Sequence, residues 1–147
     1  MSRLRAALAL SWRDWWILLQ AWLLLLAADL GLRVLPLQRI QRYVALASND
    51  ARSVSGSEAS GVIERMRWLV GIAGRYHLHP MRCLQRALVL QWLLGRCGIG
   101  TELRIGVRRQ EDGLRAHAWL EHAGQPIGEP QSIETRFAPL VACDAGR

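Results

Sequence analysis

A cysteine opens an apolar helical segment, Pro80-Met81-Arg82-Cys83-Leu84-Gln85-Arg86-Ala87-Leu88, and a histidine follows 34 residues later in an alternating segment, Leu114-Arg115-Ala116-His117-Ala118-Trp119-Leu120-Glu121. A thiol and an imidazole are the parts of a nucleophile and the base that takes its proton. The start of a helix suits the nucleophile, because its unbonded N–H groups and the positive end of its dipole favour negative charge there. Arg82 and Arg86 add positive charge beside it. The backbone N–H of Cys83 is the natural donor to an oxyanion, and His77 or His79, just upstream, is the candidate second donor. Each residue alone has an ordinary reading: a free cysteine is most often a small buried hydrophobe, and a strand histidine is most often simply hydrogen-bonded. The pairing, in this order, points to chemistry. Cys97 and Cys143 lack such surroundings, one ending a helix among glycines and the other beside Asp144 near the C-terminus.

An imidazole acting as base needs a third group on its other nitrogen to hold the tautomer and stabilise the imidazolium. Glu129, on the segment after His117, is the choice, with Glu134 as the fallback. Asp112 sits at a hairpin tip, and Glu121 lies four residues along the same strand, about 13 Å away by strand rise. A tight hairpin centred on Gly124-Gln125 would set Glu129 opposite Leu120 rather than His117, so the choice requires a longer or bulged loop.

Positioning these groups requires a helix followed by a hairpin. The Cys83 helix runs to about Arg96 and is closed by Gly98 and Gly100. Thr101 to Arg109 alternates Leu103, Ile105 and Val107 with charged residues, which predicts a half-buried strand. Gln110-Glu111-Asp112-Gly113 carries the Asp-Gly turn signal. Leu114 to His122 then places Leu114, Ala116, Ala118 and Leu120 on one face, and Arg115, His117, Trp119 and Glu121 on the other. A third, weaker strand is expected around Ile127 to Ile133. Upstream, Val62, Ile63, Met66, Leu69, Val70 and Ala73 recur at helical spacing, with Ser60 as N-cap.

The expected organisation is residues 1–47 as an apolar N-terminal helical segment, 48–61 as a Ser- and Gly-rich linker, and 62–147 as the domain that carries the chemistry. Trp15 to Ala28 is almost wholly apolar and bounded by Asp14 and Asp29, short of the about 20 residues a membrane span wants. Three placements fit it: buried against the rest of the chain or a partner, lying in a membrane interface with Trp12, Trp15, Trp16 and Trp22 at headgroup depth, or spanning. Leu35-Pro36-Leu37 ends it, and a short basic helix, Gln38 to Ala47, follows.

The 147 residues suit one ordinary domain. All 19 basic residues are Arg and the net charge is +7, a balance that fits the coding bias of a GC-rich bacterial genome. No basic run or aromatic-basic ladder favours nucleic acid. Three cysteines without framework spacing, and no signal-peptide pattern, fit a reducing cytoplasm. No CxxC or His-rich cluster implies a metal, and no cofactor is expected.

In that order and spacing, Cys83-Leu84-Gln85-Arg86-Ala87-Leu88, Leu103-Arg104-Ile105-Gly106-Val107 and Ala116-His117-Ala118-Trp119-Leu120-Glu121 resemble the B2-type lasso peptide biosynthesis proteins, which are transglutaminase-like cysteine proteases. The resemblance spans Val62 to about Ser132, and the apolar N-terminal helix is also similar to the start of such proteins. It implies an α+β fold with a papain- or transglutaminase-like core, the Cys helix packed on a small antiparallel sheet that bears the His. It also implies a leader peptidase that frees the core of a ribosomally made precursor peptide for a separate asparagine-synthetase-like lasso cyclase. The family's triad falls on Cys83, His117 and, where relatives carry Asp, on Glu129. The first 47 residues leave no room for a leader-recognition module, so a separate B1-type recognition protein is implied. Two other readings share the residues: a non-catalytic binding module docking on a membrane or synthetase partner, and a thioester-forming acyl transferase.

Overall fold

The computed structural model describes residues 10–48, 56–79, 82–130 and 132–139. Helix α1, Trp12–Val34, starts at a reciprocal cap: the Asp14 N–H donates to the Ser11 hydroxyl oxygen at 3.3 Å, while the Asp14 carboxylate accepts from the Ser11 N–H at 2.9 Å and its hydroxyl at 2.8 Å. It stops at Leu35, extended at φ −113 and ψ 143, as a residue before proline prefers. Helix α2, Leu37–Ser48, follows.

Helix α3 runs Ser57–Arg75. It begins five residues before the predicted start, so 57–61 of the expected linker are helical and Ser60 is not the cap. The Ser and Gly content of that stretch reads as linker, but Glu58 and Ala59 suit a first turn, where the helix dipole favours the acid and Ala59 is buried. Helix α4, Cys83–Arg96, ends where expected and starts at the cysteine itself.

Strands β1, Glu102–Gln110, and β2, Gly113–His122, form an antiparallel hairpin in register from Glu102 opposite Glu121 to Gln110 opposite Gly113. The third strand expected around Ile127 to Ile133 does not form among the described residues; a two-residue strand just before it, β3, Gln125–Pro126, pairs with the end of β2. Pro126 and Pro130 cannot donate to a ladder, and Gly128 adopts a left-handed φ of 70°, so the chain leaves the sheet. Ile133–Arg136 is instead a short helix, α5, and Ala138–Pro139 adds an unexpected strand, β4, beside Gly106 and Val107 of β1. The sheet order is β3-β2-β1-β4.

Helix α4 is the centre: α1, α2 and α3 pack around it, and the β1–β2 hairpin lies against it. Ala21 and Leu25 of α1 share one apolar cluster with Val70 and Ala73 of α3, Leu90, Leu93 and Leu94 of α4, Ile99, and Leu120 of β2. Fully burying a leucine such as Leu25 or Leu94 is worth about 1.5–3 kcal/mol. The inner face expected for β2 holds only at its far end, where Ala118 and Leu120 are buried. Leu114 is 76% exposed because the hairpin tip projects beyond the helices.

Both acids bounding the apolar run turn inward. Asp14 receives two bonds from the Arg65 guanidinium of α3, at 3.0 and 2.6 Å. Those bonds, helped by Ser11, hold its carboxyl well below the usual carboxylate range. Asp29 accepts from Gln85 Nε2 of α4 at 2.6 Å and from Arg33 at 2.9 Å.

Candidate functional site

Cys83 is the first residue of α4 and is half-buried. The residue before it, Arg82, is extended at φ −76 and ψ 159, so the helix begins abruptly at the thiol. Gln85, two residues on, locks that start. Its Oε1 accepts the Arg82 N–H at 2.7 Å, occupying one of the donors a helix end leaves open, while its Nε2 donates to Asp29 of α1. Gln85 is buried, with 7% of its surface exposed, so the start of α4 is bolted to α1.

His117 and Glu129 meet: Nε2 lies 2.9 Å from Oε1. A carboxylate only accepts, so Nε2 is the nitrogen that donates; in the neutral ring this leaves the Nδ1 lone pair free, the form a base requires. The two side chains are 28% and 32% exposed, sheltered yet reachable.

The loop achieves this in two steps. Ala123 and Gly124 make the turn, with φ of 49° and 74°, the left-handed pair a tight hairpin favours. His122 then pairs with Gln125, and the Ile127 N–H bonds Leu120 O at 2.8 Å. The turn is therefore one residue earlier than Gly124-Gln125, and counting onward sets Glu129 beside Ala118. The left-handed Gly128 breaks the alternation, and the Glu129 carboxylate reaches His117. A Cβ at Gly128 would stand 2.5 Å from Cδ of Arg67, so glycine also admits the α3 arginine. The Arg67 guanidinium is raised above its ordinary range chiefly by its bond with Glu64, and Glu129 adds a smaller pull.

The imidazole is framed by Trp119, stacked at 6.1 Å between centroids, and Phe137, tilted at 5.4 Å. Trp119 is anchored by its Nε1–H to Glu121 at 3.1 Å, and the buried Glu121 also accepts from Arg104 at 2.9 Å. Opposite His117 stands Gly106, where a Cβ would fall 2.7 Å from Phe137 Cβ and 3.1 Å from the Trp119 ring. Only a residue without a side chain lets both rings close over the strand.

The structure thus joins His117 to Glu129. Helix α4 packs on the strand that carries His117, but among the described residues no hydrogen bond links Cys83 to His117. Glu121 is engaged with Trp119 and Arg104, and Asp112 sits exposed at the hairpin tip. Glu134 falls in α5, and its side chain lies outside the described residues. The His77 ring packs on Trp22 of α1 at 5.0 Å, and both its nitrogens are buried without a partner among the described residues. His79 is exposed. Burial pushes the Cys97 thiol up, against the smaller opposing effect of Arg96. Cys143 lies outside the described residues.

Three contributors escaped the reading of the sequence. Gln85 was signalled by its place at the third position of the helix, where an amide can reach back to the cap. Gly106 was signalled as a glycine inside an alternating strand. Phe137 carried no local signal.

The family model described as the Transglutaminase-like superfamily matches residues 22–142, from within α1 to beyond β4. No curated protein and no solved structure matches the chain.

Proposed function

The chain belongs to the transglutaminase-like superfamily, and from that premise we propose that it is a cysteine peptidase, the leader peptidase of lasso peptide maturation, with Cys83 as nucleophile, His117 as base and Glu129 as the residue that orients and stabilises the imidazole. The observation that carries this is the 2.9 Å contact of His117 Nε2 with Glu129, which leaves Nδ1 as the basic nitrogen on the strand packed against the helix that Cys83 opens.

In the substrate complex Cys83 Sγ comes within reach of Nδ1. Such contacts commonly tighten only when substrate is bound. Nδ1 takes the thiol proton as sulfur attacks the scissile carbonyl, forming the S–C bond and an oxyanion that the Cys83 N–H receives. The C–N bond then breaks, and the imidazolium returns the proton to the leaving amine, the new N-terminus of the core peptide. Water, giving a proton to Nδ1, attacks the thioester. The S–C bond breaks as the imidazolium returns its proton to sulfur, restoring the thiol, and the leader leaves as a carboxylic acid that ionises to solvent. A separate leader-binding protein brings the precursor, and an asparagine-synthetase-like cyclase consumes the freed amine.

The test is incubation of the purified protein with the precursor peptide and a leader-binding partner, followed by mass spectrometry beside Cys83→Ala. Cleavage at one junction that the variant loses supports the reading. An amine adduct on the leader carbonyl makes the protein an acyl transferase instead, and an intact precursor in every tube makes it a binding module.

A further inference from the structure

We propose that the outer face of α1 lies on an anionic lipid surface, its axis in the plane of the membrane, and holds the domain at the bilayer. This uses no residue of the candidate site and does not depend on the reaction.

The outward positions of α1 recur at helical spacing: Trp12, Trp16, Leu19, Leu23, Ala27, Leu30 and Val34 are all exposed, with Trp15 beside them. Trp12 and Val34 are more than four-fifths exposed, and Trp15, Trp16, Leu19, Leu23 and Leu30 about half. The 23-residue helix therefore carries an apolar stripe along its whole length, about 33 Å at 1.5 Å per residue. Contiguous exposed apolar surface of this kind marks an interaction site.

Charge selects the partner. The two acids of α1 point the other way, Asp14 into Arg65 and Asp29 into Gln85 and Arg33. Exposed arginines flank the stripe, Arg13 beside its start and Arg39 and Arg42 on α2, while Arg33 is engaged with Asp29. A second copy packed on this face would bring no free acid to meet these arginines, because both acids of α1 are already engaged. Acidic headgroups complement it, and the tryptophans at the start suit headgroup depth. Length and composition would also allow α1 to cross a membrane, but Ala21 and Leu25 are fully buried against α3 and α4, so the helix offers lipid only one side.

The full-length protein is floated with vesicles of equal parts phosphatidylcholine and phosphatidylglycerol, and with vesicles of phosphatidylcholine alone. Leu19→Ser/Leu23→Ser, two half-exposed positions, is run beside it, with circular dichroism to confirm that it folds. The expected result is flotation with the anionic vesicles, a bound fraction that falls with added salt and on neutral vesicles, and a partition at least about tenfold lower in the variant. The proposal is overturned if the wild type stays in the soluble fraction with both vesicles. It is equally overturned if the face proves to mediate a dimer that the variant dissolves without any vesicle binding, or if the bound protein resists alkaline carbonate as a spanning helix does.

Discussion

Replacing Glu129 with Gln keeps the arm length and an acceptor oxygen for the Nε2–H of His117 but removes the negative charge. On the proposed mechanism little is lost before the thiol proton moves, because a neutral imidazole gains mainly a hydrogen bond from its partner. Once the thiol proton moves to Nδ1 the ring is cationic, and the carboxylate, 2.9 Å from Nε2, then acts on a charge centred about 4 Å away. That attraction is worth about 4 kcal/mol at an effective dielectric of about 20 and about 1 kcal/mol in bulk water. With His117 and Glu129 each roughly 30% exposed, the site falls between these limits, at about 2 kcal/mol. The expected cost is about 30-fold in the rate of cleavage, carried by kcat rather than KM because the imidazolium forms only as the reaction proceeds. Precursor cleavage followed by mass spectrometry at saturating and limiting peptide separates the two, with thermal melting to show that the variant folds. A Glu129→Gln enzyme within about threefold of wild type, beside an inert Cys83→Ala, would refute the assignment of Glu129 and the electrostatic reasoning behind it.

Gly106→Ala should cost about 1–3 kcal/mol by forcing Phe137 and Trp119 apart, read from the urea midpoint, and cleavage should fall with it because both rings frame His117. Leu25→Ala, at a site with no exposed surface, should cost about 2–5 kcal/mol, whereas Leu23→Ser on the outer face should change stability by less than about 0.5 kcal/mol. Denaturant titrations compare the two, and equal losses would contradict the assignment of faces. Asp14 has a folded pKa below its unfolded value, first through Arg65 and then through Ser11. Its stabilisation is therefore present above the ordinary carboxylate value of about 4 and lost as pH falls through it toward the lower folded value. Unfolding measured across the acid range should show a shallower decline for Asp14→Asn than for wild type.

Local chemistry determined much of this protein before any packing was known. Helix α4 was legible because Pro80 and Gly98 bracket it and its residues favour helix. The hairpin was legible because alternation marks its two strands and residues 110–113 carry a turn signal between them. Cys83 and His117 were candidates for the same reason, since each draws its meaning from the element that carries it. Glu129 was narrowed only to a condition, a bulged loop, and the left-handed Gly128 is what meets it. The N-terminal helix was not resolved from its residues, because a run that is apolar on every side has no periodicity to mark an inner face. Tertiary structure decided that Ala21 and Leu25 face the core and Trp16 and Leu23 face out, and that the bounding acids are anchors. It did so through pairs far apart in the chain: Asp14 with Arg65 across 51 residues and Asp29 with Gln85 across 56. Backbone preference and side-chain periodicity act over a few residues, whereas such pairs exist only once the helices they join have been packed together.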